Sequence, residues 1–289
     1  MDGVLLINKP KYITSNDLVL KVKKHIKEKV GHTGTLDYAA SGLMLLTVGK
    51  ATRFTQFLQK LDKEYIAEGK LGEITDTYDS QGKVIQTKPL EGITQENVIQ
   101  VINSFVGEFD QLPPPYSAKK IQGKRAYQLA KKGIQPDLKP VKVKIYSIEI
   151  LSIDLPFFRI KVSCSSGTYI RSLIKDIGDK LGCGAYMTDL TRTKVGKFDL
   201  KDAVDLERFL SLSLEEVEKL IIPVKEALYF LKSVKLDNDL ERRFKHGQKL
   251  NLSLEEGIYK VLNHQDELLG IGKVENGVLK PDVVLSVNG

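Results

Sequence analysis

Asp37 is the single acid in a loop otherwise built from glycine, threonine, histidine and leucine, G-H-T-G-T-L-D from Gly31 to Asp37. Gly31 and Gly34 open backbone conformations closed to other residues and let a ligand approach the main chain. His32, Thr33 and Thr35 place hydrogen-bonding groups around the carboxylate. Leu43 to Val48 follows as an unbroken apolar run next to Gly42 and Gly49, the pattern of a strand buried on both faces. A lone carboxylate held above such a strand suits a rigidly placed catalytic group. By local pattern alone a plainer account is stronger: Asp37 ahead of Tyr38-Ala39-Ala40-Ser41 caps a short helical turn.

Three other residues carry chemistry in unusual settings. Tyr65 sits on an alternating segment, Lys63 to Leu71, whose faces are Tyr65/Ala67/Gly69/Leu71 and Glu64/Ile66/Glu68/Lys70; by pattern alone a half-buried core tyrosine is the stronger account. Asp79, with Asp76, lies in T-D-T-Y-D-S-Q-G, where both acids suit turn positions. Arg171 falls in the first turn of a helix whose apolar stripe is Ile170, Leu173, Ile174, Ile177 and Leu181, with Thr168 as its expected cap and Gly182 beyond its end. A cation there opposes the helix dipole by a few tenths of a kcal/mol, and such local conflicts concentrate at functional sites.

The elements that must position these groups follow from periodicity. Val4–Ile7 is a short buried strand ending at Asn8-Lys9-Pro10, and Thr14 opens a capping box with Asp17 ahead of the Leu18/Val22/Ile26 stripe. Residues 94–106 form a helix capped by Thr94, and Phe158, Ile160, Val162 and Cys164 share one strand face. Residues 199–231 read as amphipathic helix broken at Pro223. Beyond that, a helix from Asp237 to His246 stopped by Gly247 precedes short strands at 250–252, 258–262, 268–273 and 283–287, the texture of a small β-barrel.

Composition narrows the partners. With 289 residues, 42% hydrophobic and 28% charged, the chain is long enough for one large domain plus a small one. No apolar run reaches the ~20 residues of a membrane span, and the N-terminus lacks the basic and apolar regions of a signal peptide. Cys164 and Cys183 form no metal or disulfide spacing, so reduced cysteines in a cytoplasmic protein are expected. The net charge is +7, and nine of the 44 basic residues, with one of the 37 acids, lie between Ser117 and Lys144. The remainder holds 35 basic and 36 acidic residues, so the whole cationic excess occupies one segment, the footprint of a polyanion partner.

Five ordered motifs resemble those of the TruB family, the bacterial tRNA pseudouridine-55 synthases. They are K-P-x-x-x-T-S from Lys9, G-H-T-G-T-L-D-x-x-A-S-G from Gly31, K-E-Y-x-x-x-x-x-L-G with T-D-T-Y-D-S-Q-G, Q-x-P-P-x-Y-S-A-x-K from Gln111, and G-T-Y-I-R from Gly167 with Leu190-Thr191-Arg192-Thr193. The resemblance covers roughly residues 3–230. It implies an α+β pseudouridine synthase fold, a mixed central sheet flanked by helices, with a basic thumb insertion at about 117–144. Residues 1–232 would form the catalytic domain and 233–289 a PUA-like RNA-binding barrel.

For the site, the resemblance makes Asp37 the catalytic acid, Arg171 its salt-bridge partner, and Tyr65 the residue that stacks on the target base. His32 fills the space left by the flipped base, Tyr169 and Leu190 line the uridine pocket, Lys9 helps shape the cleft, and Asp79 lies near the flipped loop nucleotides. Lys131 and Lys132 of the thumb grip the RNA. The expected substrate is the T-arm stem-loop of tRNA, with no cofactor or metal, no guide RNA, no protein partner, no membrane, and the protein acting as a monomer. Three positions depart from the family pattern: Tyr12 stands where glycine is usual, Tyr38 where proline is, and Lys131 where arginine is.

Overall fold

The computed structural model describes residues 1–115, 120–121, 124–125 and 138–285. Lys131, Lys132 and most of the expected thumb lie outside the described residues.

Strand β1 (Gly3–Lys9) leads into helix α1 (Ser15–Ile26), whose N-cap Thr14 and third residue Asp17 close the expected capping box, a device that contributes about 1 kcal/mol. Then come β2 (Val30–His32), β3 (Ser41–Val48), a 3-10 turn with the short helix α2 (Thr55–Gln59), and β4 (Lys63–Leu71). The hairpin β5 (Glu73–Thr75) and β6 (Val84–Thr87) precedes α3 (Gln95–Asn103) and β7 (Gly107–Gln111). Two-residue strands β8 (Lys120–Ile121) and β9 (Lys124–Arg125) pair with each other. The long strands β10 (Val141–Asp154) and β11 (Phe157–Cys164) lead to α4 (Ile170–Leu181) and β12 (Ala185–Val195).

Among the described residues the main sheet has ten strands, ordered β14-β1-β3-β12-β4-β11-β10-β7, with β2 on β3 and β13 (Phe198–Asp199) on β12. It is mixed: β3 and β12 run parallel, as do β1 and β14 (Val204–Asp205), while the other pairs are antiparallel. Helices cover one face. Leu18, Val22 and Ile26 of α1, Val98 and Ile102 of α3, and Leu173, Ile174 and Ile177 of α4 all join one buried cluster there. The apolar run of β3 is explained by its two faces. Met44, Leu46 and Val48 enter the helix-covered cluster, whereas Leu43 and Leu45 enter a second cluster with Val4, Phe54, Leu228, Ile271 and Val283. Helix α4 comes close to β12 at Gly178, where a Cβ would lie 2.2 Å from Ala185 N.

The stretch 199–231 corrects the expected amphipathic helix. It breaks into β13, a 3-10 turn, β14 and three short helices, α5 (Leu206–Ser211), α6 (Leu214–Leu220) and α7 (Val224–Ala227), the last starting after Pro223. The apolar residues recur at near-helical spacing because each short element turns one or two of them inward; β14 spends its backbone bonds on β1 instead.

The C-terminal part is a five-stranded sheet, β15-β17-β18-β19-β16, with α8 (Asn238–Lys245) and a core of Leu236, Phe244, Leu250, Tyr259, Val261, Leu269, Val274 and Leu279. Strand β15 (Lys232–Lys235) has no alternating apolar signal and pairs parallel with β17 (Gly257–Leu262). The last strand among the described residues, β19 (Val278–Val284), starts five residues before the expected 283, because it leaves the Asn276-Gly277 turn directly to pair with β18 (Leu268–Glu275); residues 286–287 of the expected strand lie outside the described residues, and β16 (Leu250–Asn251) closes the order. Ile271 and Val283 pack into the second cluster, and Arg53 donates to the Val284 carbonyl, so the two sheets are joined by apolar and polar contacts. No helix among the described residues is long and apolar enough to cross a membrane.

Both cysteines are buried and free, and burial pushes the Cys164 thiol up to about 12. Since the thiolate is the reactive form, neither should react with a disulfide reagent at pH 8 in the folded chain, and both should react once urea unfolds it. Fast labelling of Cys164 without denaturant would contradict this packing.

Candidate active site

Asp37 does not cap a helix. Residues 37–40 form a turn closed by a hydrogen bond from Ala40 N to Asp37 O (3.0 Å), after which the chain enters β3 directly. The carboxylate is instead free to face α4. Arg171, whose side chain is 7% exposed, sets Nε 3.2 Å from Asp37 Oδ2 and Nη1 3.7 Å from Asp79 Oδ2, and donates from Nη1 to Thr77 O at 3.3 Å. Asp79 is itself held, accepting from Thr77 Oγ1 (2.6 Å) and Gln81 N (3.0 Å). One guanidinium thus spans two carboxylates and a carbonyl. This ties the Asp37 loop to the turn after β5 and accounts for the cation in the first turn of α4. Thr168 is not the cap of that helix: its hydroxyl donates to Ser165 O (2.8 Å), and Tyr169 stands at the N-cap with no side-chain cap bond. The Tyr169 backbone is clamped from outside by Gln111, which accepts from Tyr169 N (2.8 Å) and donates to Tyr169 O (3.0 Å).

The Gly31–Asp37 loop is pinned from beneath by two residues that the sequence offered only as motif members, with no role assigned to either. Ser15 Oγ, at the start of α1, accepts from Leu36 N (2.8 Å) and donates to Leu36 O (2.9 Å), which links the first motif to the second. Arg192, 2% exposed on β12, donates to Leu43 O (2.9 Å), Thr35 O (3.3 Å) and Gly34 O (3.0 Å). The register lets it reach them: Arg192 lies opposite Gly42 of β3 on one side and Tyr65 of β4 on the other. Gly42 has φ +119, and a Cβ there would meet Arg192 O at 2.3 Å, so no other residue fits. The signal for Arg192 was its parity: it alternates inward with Leu190 on an otherwise ordinary strand.

Asp37, Tyr65, Tyr169, Leu190, Arg171 and His32 share the lining of one cavity of about 340 Å³, which Lys63 and Arg192 also border. The structure therefore brings together six of the residues marked by sequence. Asp79 lies outside this cavity, in a shallow groove on the other flank of Asp37. Lys9 does not line the cavity. It is fully buried at the end of β1, donating from Nζ to Pro10 O (2.9 Å) and Ile13 O (2.8 Å); it shapes the cleft only by fixing the turn that leads to Ser15.

Burial pulls the Lys9 ammonium down to about 8 against the opposing pull of Asp37, and burial with the nearby Arg192 charge brings Lys63 to about 8. Burial raises the Tyr65 phenol above its ordinary range, although Arg192 beside it acts the other way. Tyr65 is therefore a neutral phenol at physiological pH, an aromatic face with a proton to give. Among the described residues no group of three or more His, Cys, Asp or Glu is arranged to hold a metal ion.

Comparison with known proteins accords with this geometry. The family model described as TruB family pseudouridylate synthase (N terminal domain) matches residues 21–170, a second described as tRNA pseudouridylate synthase B C-terminal domain matches 171–229, and a third described as pseudouridine synthase II TruB, C-terminal, matches 233–285. The chain belongs to the TruB family. Curated TruB relatives include a tRNA pseudouridine synthase B from Clostridium kluyveri, 43% identical over 94% of this chain and 95% of that protein. Another, from Aquifex aeolicus, is 43% identical over 99% and 100%. Among solved structures the TruB chain resembles a Cbf5-Nop10-Gar1 complex (27% identity, TM-score 0.75, 98% of this chain and 84% of that one). It also resembles an H/ACA RNP bound to a substrate RNA containing 2'-deoxyuridine (26%, TM-score 0.73, 98% and 84%).

Arg192→Met should lower the unfolding free energy by about 2 kcal/mol or more, since the buried Leu43 carbonyl and the part-buried Gly34 and Thr35 carbonyls lose a donor and an unmet buried group costs about 1–3 kcal/mol. Urea denaturation measures it; a loss below about 1 kcal/mol would mean the loop is held by other means.

Proposed function

We infer that this chain is a tRNA pseudouridine synthase acting on the T-arm stem-loop, where it isomerises the uridine at position 55. The observation that carries the reading is the Asp37–Arg171 ion pair at the rim of a cavity that Tyr65, Tyr169 and Leu190 also line. The reaction breaks C1′–N1, turns the base and joins C5 to C1′; the proton lost from C5 is balanced by one gained at N1, so no electrons are exchanged and no redox group is needed. The target base lies inside a folded loop and must first be extruded, which costs about a few kcal/mol. His32 takes the vacated space, the apolar side of Leu190 and the rings of Tyr65 and Tyr169 enclose the base, and Asp37 acts on the reacting atoms. Arg171 orients the carboxylate through Nε while Asp79 and Thr77 hold the guanidinium still, a preorganised arrangement that needs no rearrangement during reaction. Tyr65, a neutral phenol, stacks on the base and serves the final proton transfer.

In this reading residues 1–232 form the catalytic domain and 233–289 the PUA-like RNA-binding module, while the basic segment with Lys131 and Lys132 grips phosphates. The protein works as a cytoplasmic monomer without cofactor. The second reading, a guide-RNA-dependent synthase inside a multi-protein particle, is favoured by the likeness to the Cbf5 and H/ACA structures. Identity of 43% along essentially the whole Aquifex aeolicus protein, against 26–27% to those structures, favours the stand-alone enzyme. Purified protein incubated with a bare tRNA transcript decides: pseudouridine mapped by mass at the T loop is expected, and product that appears only with added guide RNA or proteins would overturn the reading.

Asp37→Asn removes the charge and nucleophilicity while keeping the size, so product should vanish while tRNA affinity stays within about twofold. Retention of a tenth of the turnover would show that Asp37 is not essential. Arg171→Lys keeps the charge but loses the planar fork that here spans three acceptors. Its single-turnover rate should fall about a hundredfold or more, the scale on which about 2.7 kcal/mol of positioning registers; near-normal rates would remove the ion pair from the mechanism.

A further inference from the structure

Two aromatic side chains stand outside the machinery described above. Tyr12 and Tyr38 are 60% and 48% exposed, with ring centroids 5.9 Å apart and planes at 60°. The Tyr12 N–H donates to Tyr38 O at 2.6 Å. These are the two positions at which the chain departs from the family's usual glycine and proline, and the fold sets them ring to ring. Burial does not explain either ring. Tyr12 also adopts φ +69, the left-handed region that a glycine enters freely and a tyrosine does not. A strained, exposed aromatic beside a catalytic loop is an outlier of the kind that marks function.

Their surroundings name the occupant. Tyr38 follows Asp37 directly. The shallow groove on the outer flank of Asp37, lined also by Ala39, Asp79, Thr188 and Asp189, runs to the ion pair of Lys11 Nζ with Asp189 Oδ1 at 2.5 Å. Lys11 is the residue before Tyr12; neither ring lines that groove, but two exposed rings and a half-exposed cation lie on the surface of the chain segments that flank it. Aromatic rings take the faces of unpaired bases and a lysine takes a phosphate. Extruding one base also unstacks its neighbours, whose faces then lack a partner.

We propose that Tyr12 and Tyr38 form a stacking platform for an unpaired nucleobase next to the target uridine in the substrate RNA, with Lys11 serving the adjoining phosphate. The platform rests on the RNA-modifying function inferred above and adds to it a contact specific to chains with both tyrosines. It acts on binding, because neither ring lines the cavity that holds Asp37, Tyr65 and Arg171.

The test uses the full chain and a 5′-labelled T-arm stem-loop RNA, reading affinity by fluorescence anisotropy and product by single-turnover mass analysis. The double variant Tyr12→Leu, Tyr38→Leu keeps apolar surface but loses the rings. It should bind about tenfold more weakly, the low end of what one stacked base contributes, whereas Tyr12→Phe, Tyr38→Phe should bind like the unaltered chain. An abasic nucleotide at the contacted position should weaken the unaltered chain by about the same factor and leave the leucine variant unaffected. Tyr12→Gly releases the left-handed strain, so it should melt no lower than the unaltered chain yet bind more weakly. The platform is overturned by leucine-variant binding within twofold of the original, by an abasic penalty that persists undiminished in that variant, or by a phenylalanine variant as weak as the leucine one. It is also overturned if Tyr12→Gly loses stability and affinity together, which would make the pair a structural prop. Anisotropy is read without turnover, so failure of the unaltered chain to form product would sink the proposed function while leaving the stacking result to stand or fall separately.

Discussion

The guanidinium of Arg192 is the point on which the site's geometry depends. It is buried, and it satisfies its N–H groups on the carbonyls of Gly34, Thr35 and Leu43. A buried cation without hydrogen bonds would be costly, and so would a buried Leu43 carbonyl without its donor; here each answers the other. The loop that ends in Asp37 is irregular backbone that past β2 keeps one backbone bond to β3, from Thr33 N to Leu45 O, so Arg192, Ser15 and Arg171 set the rest of its shape. That is how a Gly-rich segment, flexible by composition, can present a carboxylate in one fixed place.

The same arrangement sets the electrostatic character of the cleft. Lys9, Lys63 and Arg192 lie under or beside the loop, all buried, and carbonyls of the chain accept from each of them. Arg171 adds a fourth positive charge, facing Asp37 and Asp79. Burial pulls two of the lysines down to about 8, so their charged forms rely on the carbonyls that accept from them. Under the proposed function, RNA laid across the cleft meets this positive charge in addition to that of the basic segment near residues 117–144.

Much of this was legible in the chain. The buried strand after Asp37 showed as an apolar run because both faces of β3 are covered, and the capping box at Thr14 and the glycine stop at Gly182 have strictly local causes. Asp37, Tyr65 and Arg171 could be marked from motif type, but their meeting depends on sheet order, which no local pattern encodes. Arg192 and Ser15 stood in the motifs without a readable role, because their partners are backbone carbonyls and amides, and such partners leave no trace in side-chain composition. Residues 199–231 misled for the opposite reason: a helix-like spacing of apolar residues arose from several short elements that each bury one or two of them. Strand β15, largely exposed with its lysines, carries no alternation because it owes its place to pairing with β17.

Strand β12 sits in the sheet between β3 and β4, although it follows both by more than a hundred residues. Without it, the described sheet falls into two separate ribbons, one ending at β3 with the Asp37 loop, the other beginning at β4 with Tyr65. Asp37 and Tyr65, which line one cavity, therefore have no fixed relation until the chain has been made through Val195 and this strand has slotted between them, bringing Arg192 with it. During synthesis, when N-terminal segments emerge and order first, the nascent chain holds every letter of the Asp37 motif but no site. The cavity is therefore assembled in one step, when β12 inserts, and not gradually as each motif is made.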